Sequence, residues 1–316
     1  MHSSTSSFSL ARLRHAVVAC LALLASYQVL IWCHAVSASP SIHQWEDNVI
    51  RAERYADTPA GDQPVVLIGS SLMARLYPGQ VGARVQNIAF SGGSPLTGAE
   101  LVLRHPAAAA IIVEMSNLTS RPMDAELVEP ATGGISFLRR WLSVFRREYQ
   151  PVSVLVSAWK DHVLSERARQ NALEDARKHK KKPKKPKPSS SPKVRSPAVD
   201  GVLAAYNNPL TAEKLQSIRK GAEELRQKLQ ALRQNSKVRV FMNHLPLDPA
   251  VDATTGTAQT LDLLHLVFPS PEWEWIPPPP ATDWQTLDGL HLTDVSAETY
   301  AHYLRDTLQA RGVKLD

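Results

Sequence analysis

Ser71 and His291 stand in the two stretches of this chain that are best suited to chemistry. Ser71 follows four apolar residues and a glycine in Val65-Val66-Leu67-Ile68-Gly69-Ser70-Ser71, and His291 ends Asp288-Gly289-Leu290-His291. A histidine can take the proton of a serine hydroxyl, and a carboxylate three residues before it can hold the ring and stabilise the imidazolium that forms. The pattern predicts Ser71 as a nucleophile, His291 as its base and Asp288 as the partner of the histidine.

Each of these features, taken alone, also has a plain structural interpretation. Gly and Ser favour turns, so Gly69-Ser70-Ser71 could simply end a strand. Asp288 to His291 could begin a helix with a surface histidine, and Asn117 could cap the helix after a strand. Their combination favours a catalytic role. Ser71, the glycine turn Gly92-Gly93 and Asn117 each follow a separate predicted strand, and Asp288 and His291 lie in the last loop.

The elements that must position these residues alternate between strand and helix. Apolar runs predict five strands: Val65–Ile68, Val85–Ile88, Ala110–Met115, Val152–Ala158 and Val238–Met242. Such alternation is typical of parallel crossovers, and it predicts an α/β fold, a three-layer α/β/α sandwich with a mostly parallel five-stranded sheet. In open parallel sheets ligands bind at the carboxyl ends of the strands, where Ser71 and Asn117 are expected.

Four helices of the sandwich are predicted from composition and spacing. Thr97–His105 has helical composition, and Ser296–Arg311 closes the chain. Two longer patterns have apolar residues at helical spacing, and each is expected to pack on the sheet. The first pattern contains Phe137, Leu138, Trp141, Leu142 and Phe145, and the second contains Leu215, Ile218, Ala222, Leu225, Leu229 and Leu232.

The positive charge of the chain is concentrated in one stretch. The chain has 316 residues and a net charge of +6, and Lys178 to Ser196 holds eight lysines and one arginine with no acid, so the remainder is net negative. A nucleic-acid-binding protein would spread basic residues over a folded face, and we predict no nucleic-acid partner. The stretch belongs to an insertion at about 165–200 that is predicted to be disordered. Lys178–Arg195 in this insertion could bind an anionic lipid or polymer, or the insertion could be only a solvated spacer.

The N-terminus predicts a membrane anchor. Arg12 and Arg14 precede the uncharged residues 16–32, and basic residues on that side place the N-terminus in the cytoplasm. We therefore expect a signal anchor over 1–38 in the inner membrane and an extracytoplasmic domain over 39–316. Cleavage after Ala38, at Val36-Ser37-Ala38, would instead release the domain. Cys20 and Cys33 lie in or beside this segment, so the domain has no thiolate for a metal site.

At this point the chain resembles the SGNH/GDSL family of serine hydrolases, which has a flavodoxin-like fold. Four blocks carry the likeness, from residue 64 to 312 without the insertion: Gly69-Ser70-Ser71-Leu72, Asn87 to Ser94, Glu114-Met115-Ser116-Asn117 and Asp288-Gly289-Leu290-His291. The resemblance implies that Ser71 is the nucleophile, and that the N–H groups of Ser71 and Gly92 and the Asn117 side chain bind the oxyanion. Ser70 replaces the family's aspartate, and the third block lacks Gly-x-Asn-Asp.

Asn117 and the aromatic residues near the C-terminus keep two interpretations. Asn117-Leu118-Thr119 is also a glycosylation sequon, and a glycan there would rule out the oxyanion role. Trp273, Trp275 and Trp284 could stack on sugar rings, or they could anchor loops by burial. His244 ends the fifth predicted strand, where it would contact substrate or complete a turn.

With export and anchoring, the resemblance implies an O-acyl esterase or acyltransferase, with O-acetyl as the expected group on a cell-envelope polysaccharide. The substrate would be an acylated carbohydrate or another ester, and neither a metal nor an organic cofactor is expected. Two alternatives are a lysophospholipase or thioesterase acting on lipid esters, and a catalytically silent scaffold that keeps the fold.

Overall fold

The computed structural model of the chain describes residues 10–38, 43–59, 61–134, 136–159, 162–163, 166, 197–236, 238–280 and 284–316. It forms two compact units, one of Met1–Ile50 with Ile135–Lys187 and the other of Arg51–Gly134 with Pro188–Asp316. The second unit contains the whole sheet and every residue predicted to do chemistry. We call it the sheet unit, and we call the other the N-terminal unit.

The sheet has five strands, and every pairing in it is parallel. The strands are β1 (Val65–Ile68), β2 (Val85–Asn87), β3 (Ala110–Glu114), β4 (Arg239–Asn243) and β5 (Glu274–Trp275), in the order β2-β1-β3-β4-β5. β1 and β3 are buried along their whole length because helices pack on both faces, and this explains their unbroken apolar sequences. The predicted α/β class and parallel sheet are confirmed.

The described helices surround this sheet or belong to the N-terminal unit. They are α1 (Leu10–Trp32), α2 (Gln44–Ala56), α3 (Ser71–Ala74), α4 (Pro78–Val81), α5 (Pro95–Arg104), α6 (Ala125–Thr132), α7 (Ser136–Trp141), α8 (residues 151–159), α9 (Pro197–Tyr206), α10 (Ala212–Ser236), α11 (Pro249–Asp252), α12 (Thr255–Val267) and α13 (Asp294–Ala310). Single 3-10 turns lie at Asn117–Ser120, Ser143–Phe145 and Arg147–Tyr149.

The two faces of the sheet pack on different helices. On one face the side chains of Leu67 and Ile112 share an apolar cluster with Tyr300 and Leu304 of α13. On the other face α5 crosses β1 so closely that a Cβ on Gly98 would lie 2.7 Å from the Cβ of Ile68. The predicted helix with the Leu215 to Leu232 pattern is α10, which contacts α5 and β4 and buries Ile218, Ala222, Leu225, Leu229 and Leu232. The predicted helices at 97–105 and 296–311 are also confirmed, as α5 and α13.

The predicted strand Val152–Ala158 is wrong, because residues 151–159 form helix α8 in the N-terminal unit. Its valines and leucine favour a strand by composition, yet 152, 155, 156 and 159 also have helical spacing. The fifth strand of the sheet is instead Glu274–Trp275. Two residues are too few to show any periodicity in sequence.

The helix predicted around Phe137 is also different from the prediction. α7 ends at Trp141, and a 3-10 turn follows at Ser143–Phe145. The side chains of Phe137 and Trp141 are exposed, so the prediction that this apolar face packs on the sheet is wrong. The predicted insertion at 165–200 lies outside the described residues except for 166 and 197–200, and the latter begin α9 rather than continue a disordered stretch.

α1 is long and apolar enough to cross a membrane, and most of its side chains are exposed in the N-terminal unit. Its last turns contact the chain around residues 143–149: Tyr27 Oη donates to the carbonyl of Tyr149 at 2.9 Å, and the Val144 N–H donates to Gln28 Oε1 at 3.0 Å. α2 follows this helix in the chain and begins at Gln44.

Candidate active site

The strand order creates a crevice at the carboxyl ends of β1 and β3. The chain leaves β1 toward β2 on one side and leaves β3 toward β4 on the other, so the order 2-1-3-4-5 reverses between these two neighbours. Open parallel sheets bind ligands at such a point. Ser71 follows β1 after a two-residue turn, and Asn117 follows β3 in the same way.

The turn that carries Ser71 is determined by its two preceding residues. Ser70 caps α3, because its side chain accepts a hydrogen bond from the Leu72 N–H at 3.2 Å, and Ser71 is the first residue of that helix. Gly69 permits a close approach to β3, since a Cβ there would lie 2.6 Å from Glu114 Oε2. The hydroxyl of Ser71 is thereby placed at the rim of the sheet.

The structure brings Ser71, His291 and Asp288 together as the sequence predicts. His291 Nε2 lies 2.9 Å from Ser71 Oγ, and His291 Nδ1 lies 2.7 Å from Asp288 Oδ2. A carboxylate oxygen only accepts hydrogen bonds, so Nδ1 carries the proton and Nε2 is left to accept from the Ser71 hydroxyl. This arrangement can remove the serine proton and then return it to a leaving group.

The loop before α13 holds the side chains of Asp288 and His291 in contact with each other. Asp288 Oδ1 accepts from the N–H groups of Leu290 and His291, and Gly289 between them adopts a φ of +94° that suits glycine. Burial by itself would raise the pKa of Asp288, but those two N–H groups and the His291 ring outweigh burial and lower this pKa. The carboxyl group therefore stays ionised beside the ring at neutral pH.

Two of the three predicted oxyanion donors, Asn117 and Gly92, lie on loops next to the turn that carries Ser71. Asn117 Nδ2 donates to Tyr206 Oη at 2.7 Å, which occupies one hydrogen of the amide group and leaves the other available. Gly92 follows β2 with a φ of +78°, and its carbonyl accepts from Arg121 Nη1 at 2.6 Å. The Phe90 N–H donates to the Gly69 carbonyl at 3.1 Å, so the Gly92 loop runs beside the turn that carries Ser71.

A small cavity of about 60 Å³ lies on the Asn117 side of the crevice. Its wall is largely apolar, and Leu72 and Leu290, the neighbours of Ser71 and His291, belong to it. Polar groups in the wall include Asn117, His244 and the phenol of Tyr206, whose pKa is raised because burial outweighs the hydrogen bond from Asn117. Leu245, Leu247 and Leu261 also belong to the apolar part of this wall.

His244 lies in the cavity wall, as expected for a residue at the end of β4, whereas the three tryptophans do not line the cavity. The His244 ring is held by Asp252, with Nε2 2.9 Å from Oδ1. Trp273 is 1% exposed and packs edge-on against Phe268, so its predicted substrate contact is wrong.

Trp275 and Trp284 also have partners within the sheet unit. The indole Nε1 of Trp275 donates to the Phe268 carbonyl at 2.8 Å, and its ring stacks on His265 with 3.9 Å between centroids. Trp284 meets Tyr300 edge-on at 6.0 Å. Both half-buried rings therefore have packing partners, which agrees with the interpretation as loop anchors, and their stacking on sugar rings stays a prediction.

Glu114 is a residue of the site that sequence reasoning did not single out. Its carboxyl group is buried and accepts from Ser70 N–H at 2.8 Å, Ser70 Oγ at 2.8 Å, Met73 N–H at 3.2 Å and Ser116 Oγ at 2.9 Å. It ties the turn after β1 to the turn after β3. An acid at the end of the apolar run Ala-Ile-Ile-Val was the available signal. Tyr206, the partner of Asn117, gave no such signal.

No candidate metal site is present among the residues that the structure describes. No three of their His, Cys, Asp or Glu side chains are grouped so that they could hold an ion.

Replacing Glu114 by glutamine tests the link between the two turns. An amide has one acceptor oxygen, and its NH₂ group would face donors, so buried N–H and O–H groups lose partners. We expect Glu114→Gln to lower the free energy of unfolding by about 1–3 kcal/mol in denaturant titrations. The control Glu126→Gln removes an exposed carboxyl group in α6 and should change the free energy of unfolding by less than about 0.5 kcal/mol. Equal effects of the two substitutions would contradict the role of Glu114.

The lowered pKa of Asp288 predicts a pH-dependent contribution to stability. Folding favours the ionised carboxyl group, so the contribution is complete above the ordinary value of 3.8 and disappears as pH falls through the lower folded value. We expect the stability difference between the wild type and Asp288→Asn to shrink on acidification. In a His291→Ala background the pH dependence should be weaker, because the ring contact is already absent. A difference that grows toward low pH would refute this.

The chain was also compared with known proteins. No protein-family model matches it, and no curated protein matches it. The resemblance to the SGNH/GDSL family is therefore a prediction that rests on four short blocks of sequence.

Proposed function

We propose that this protein is a serine hydrolase or acyltransferase of the SGNH/GDSL type that acts on ester bonds. One observation carries the proposal: the His291 ring is hydrogen-bonded to Ser71 Oγ through one nitrogen and to Asp288 through the other. Residues 220 positions apart in sequence meet in this arrangement. The strand order 2-1-3-4-5 supports the flavodoxin-like fold of that family.

The geometry supports a two-step mechanism. His291 takes the proton of Ser71, and the serine oxygen attacks the ester carbonyl to form a tetrahedral intermediate. The N–H groups of Ser71 and Gly92 and the free amide hydrogen of Asn117 stabilise its oxyanion. The intermediate collapses to an acyl-enzyme as His291 protonates the departing alcohol. Water then resolves the acyl-enzyme in an esterase, and a sugar hydroxyl does so in a transferase.

The proposed substrate is an O-acyl group, with O-acetyl expected, on a polysaccharide outside the cytoplasmic membrane. The N-terminal helix α1 supports anchoring of the chain, with its basic end at Arg12 and Arg14 in the cytoplasm. The small cavity is lined by Asn117 and by Leu72, the residue after Ser71, and its size supports a short acyl group. A silent scaffold would not require the hydrogen-bonded serine, histidine and aspartate.

A lipid esterase is the second candidate, because the cavity wall is dominated by leucines. Leu245, Leu247 and Leu261 would suit an acyl chain of several carbons if the cavity opened further. The length of the preferred acyl chain distinguishes this candidate from the first.

Removal of the Ser71 hydroxyl tests the proposed chemistry. We expect Ser71→Ala to abolish labelling by a fluorophosphonate and to lower hydrolysis of an aryl acetate by at least about 10⁴-fold. Asn117→Ala should cost about 10²- to 10³-fold in kcat, since one oxyanion donor is lost. The matched control Ser236→Ala, at the end of α10, should keep full activity. Labelling that persists in Ser71→Ala would sink the proposal.

A series of aryl esters from acetyl to dodecanoyl tests the acyl group. The small cavity predicts the highest kcat/KM for acetyl or propionyl esters and a steep fall beyond about four carbons. Leu261→Ala should allow longer acyl chains to react, because the smaller side chain enlarges the cavity. A maximum at eight carbons or more in the wild type would favour the lipid esterase.

A further inference from the structure

Helix α8 in the N-terminal unit exposes its apolar side and buries its polar side. Val152, Leu155, Val156 and Trp159 lie at i, i+3, i+4 and i+7 and form one stripe, yet Leu155 is 70% exposed and Trp159 is 69% exposed. Ser153 and Ser157, on the opposite side, are buried. A helix on a water-soluble surface turns its apolar stripe inward and its polar residues outward. The exposed stripe of α8 is therefore suited to an apolar medium.

The inverted orientation is set by specific contacts of the buried side. Ser153 Oγ donates to Glu46 Oε1 in α2 at 2.8 Å, and Glu46 also pairs with Arg147 Nε at 3.3 Å. A rotation that buried the stripe of α8 would remove Ser153 from Glu46. The stripe thus points outward because the polar side of the helix is bonded inward.

α7 exposes apolar side chains in the same part of the chain. Phe137 is 60% exposed and Trp141, one turn later, is 76% exposed, whereas Arg139 between them is buried. Large aromatic rings on the outside and an arginine inside repeat the inversion seen in α8. We refer to residues 136–159, which contain α7 and α8, as the juxtamembrane segment.

The juxtamembrane segment is bonded to the end of the helix that could span a membrane. Its contacts with α1 include the hydrogen bond of Tyr27 with Tyr149 and that of Gln28 with Val144, both within the last two turns of α1. α1 has 23 residues, a length of about 34 Å, which places those turns at the far boundary of a hydrocarbon core. Tyr27 and Gln28 lie four to five residues, about 6–8 Å, before the end of α1 at Trp32. A segment that is hydrogen-bonded to them therefore lies near the boundary between the hydrocarbon core and the headgroups.

We infer that the juxtamembrane segment lies in the bilayer interface, with Phe137, Trp141, Leu155 and Trp159 inserted into the leaflet where α1 ends. This rests on the membrane anchoring in the proposed function and is independent of the esterase chemistry. Amphipathic helices bind interfaces by burying an apolar face about 5–10 Å deep, and Trp is enriched at that depth. The partner is the lipid surface itself, so zwitterionic lipid is sufficient.

Spin labels test the inference in the full-length chain, reconstituted in phosphatidylcholine nanodiscs. Cys20→Ala and Cys33→Ala first remove the two native cysteines. Single labels then report on the segment through Trp141→Cys, Leu155→Cys and Trp159→Cys. Leu21→Cys, on the exposed surface of α1, is the lipid reference. Leu266→Cys, an exposed leucine of α12 in the sheet unit, is the matched water reference.

We expect labels at 141, 155 and 159 to collide more with oxygen than with a water-soluble nickel complex, as at 21, and the label at 266 to show the reverse. Water-like values in the segment with lipid-like values at 21 would overturn the inference and leave the anchor intact. Water-like values at 21 as well would overturn both. Shielding from both reagents would mean that protein, either another part of this chain or a second copy, covers the stripe, and it would also overturn the inference.

A measurement without cysteine variants guards against misfolding of labelled proteins. Brominated phosphatidylcholine quenches tryptophans in the interface. Trp141→Phe combined with Trp159→Phe should remove most of the quenchable fluorescence other than that of Trp32 and Trp45, which belong to the same unit. Trp275→Phe, in the sheet unit, should not change the quenched component. Quenching that is unchanged by the double substitution would also overturn the inference.

Discussion

The candidate site depends on the hydrogen bonds that the buried carboxyl group of Glu114 accepts. A carboxyl group removed from water is costly unless its oxygens accept hydrogen bonds, and Glu114 accepts them from both Ser70 and Ser116. It thereby connects the turn that carries Ser71 with the turn that carries Asn117. Gly69 is required because any side chain there would occupy the space of this carboxyl group. The proposed nucleophile Ser71 and the proposed oxyanion donor Asn117 are thus positioned by one polar link between two parallel strands.

Contacts from distant parts of the chain complete the site around that link. His291 reaches Ser71 because α13 packs on the sheet through Tyr300, whose hydroxyl bonds the buried Asn243 side chain at the end of β4. Tyr206 reaches Asn117 from α9, and a Cβ on Gly256 would lie 2.7 Å from its carbonyl, so that α12 approaches α9 closely. α9, which follows the basic stretch in sequence, thus contributes Tyr206 to the crevice.

The two units use the same helical spacing for opposite purposes. α10 turns its leucine stripe inward, where burial of apolar area stabilises the sheet unit. α8 turns a stripe of the same period outward and buries its serines. Periodicity establishes that a helix has an apolar face, but the medium that the face contacts depends on which partners the other face finds. For α8 the partner is Glu46, and the proposed medium is lipid.

The sequence by itself determined four of the five strands, the helices α5, α10 and α13, and the order of the residues that form the site. These inferences rest on local patterns: buried runs, helical spacing, and turn residues at strand ends. It also identified Ser71, Asp288 and His291, because Asp-x-x-His can form within one loop and Gly-Ser-Ser ends an apolar run. Asn117 and Gly92 were assigned through the family resemblance.

Only the tertiary structure decided the remaining features, since each depends on contacts between distant residues. The strand at 274–275 exists because β4 offers it hydrogen bonds, and its two residues carry no pattern of their own. Residues 151–159 became a helix with exposed valines because their serines found partners elsewhere in the N-terminal unit. Trp273 is buried rather than available to a sugar, because Phe268 and Arg233 enclose its ring. The roles of Glu114 and Tyr206 likewise required knowledge of which strands and helices are neighbours in space.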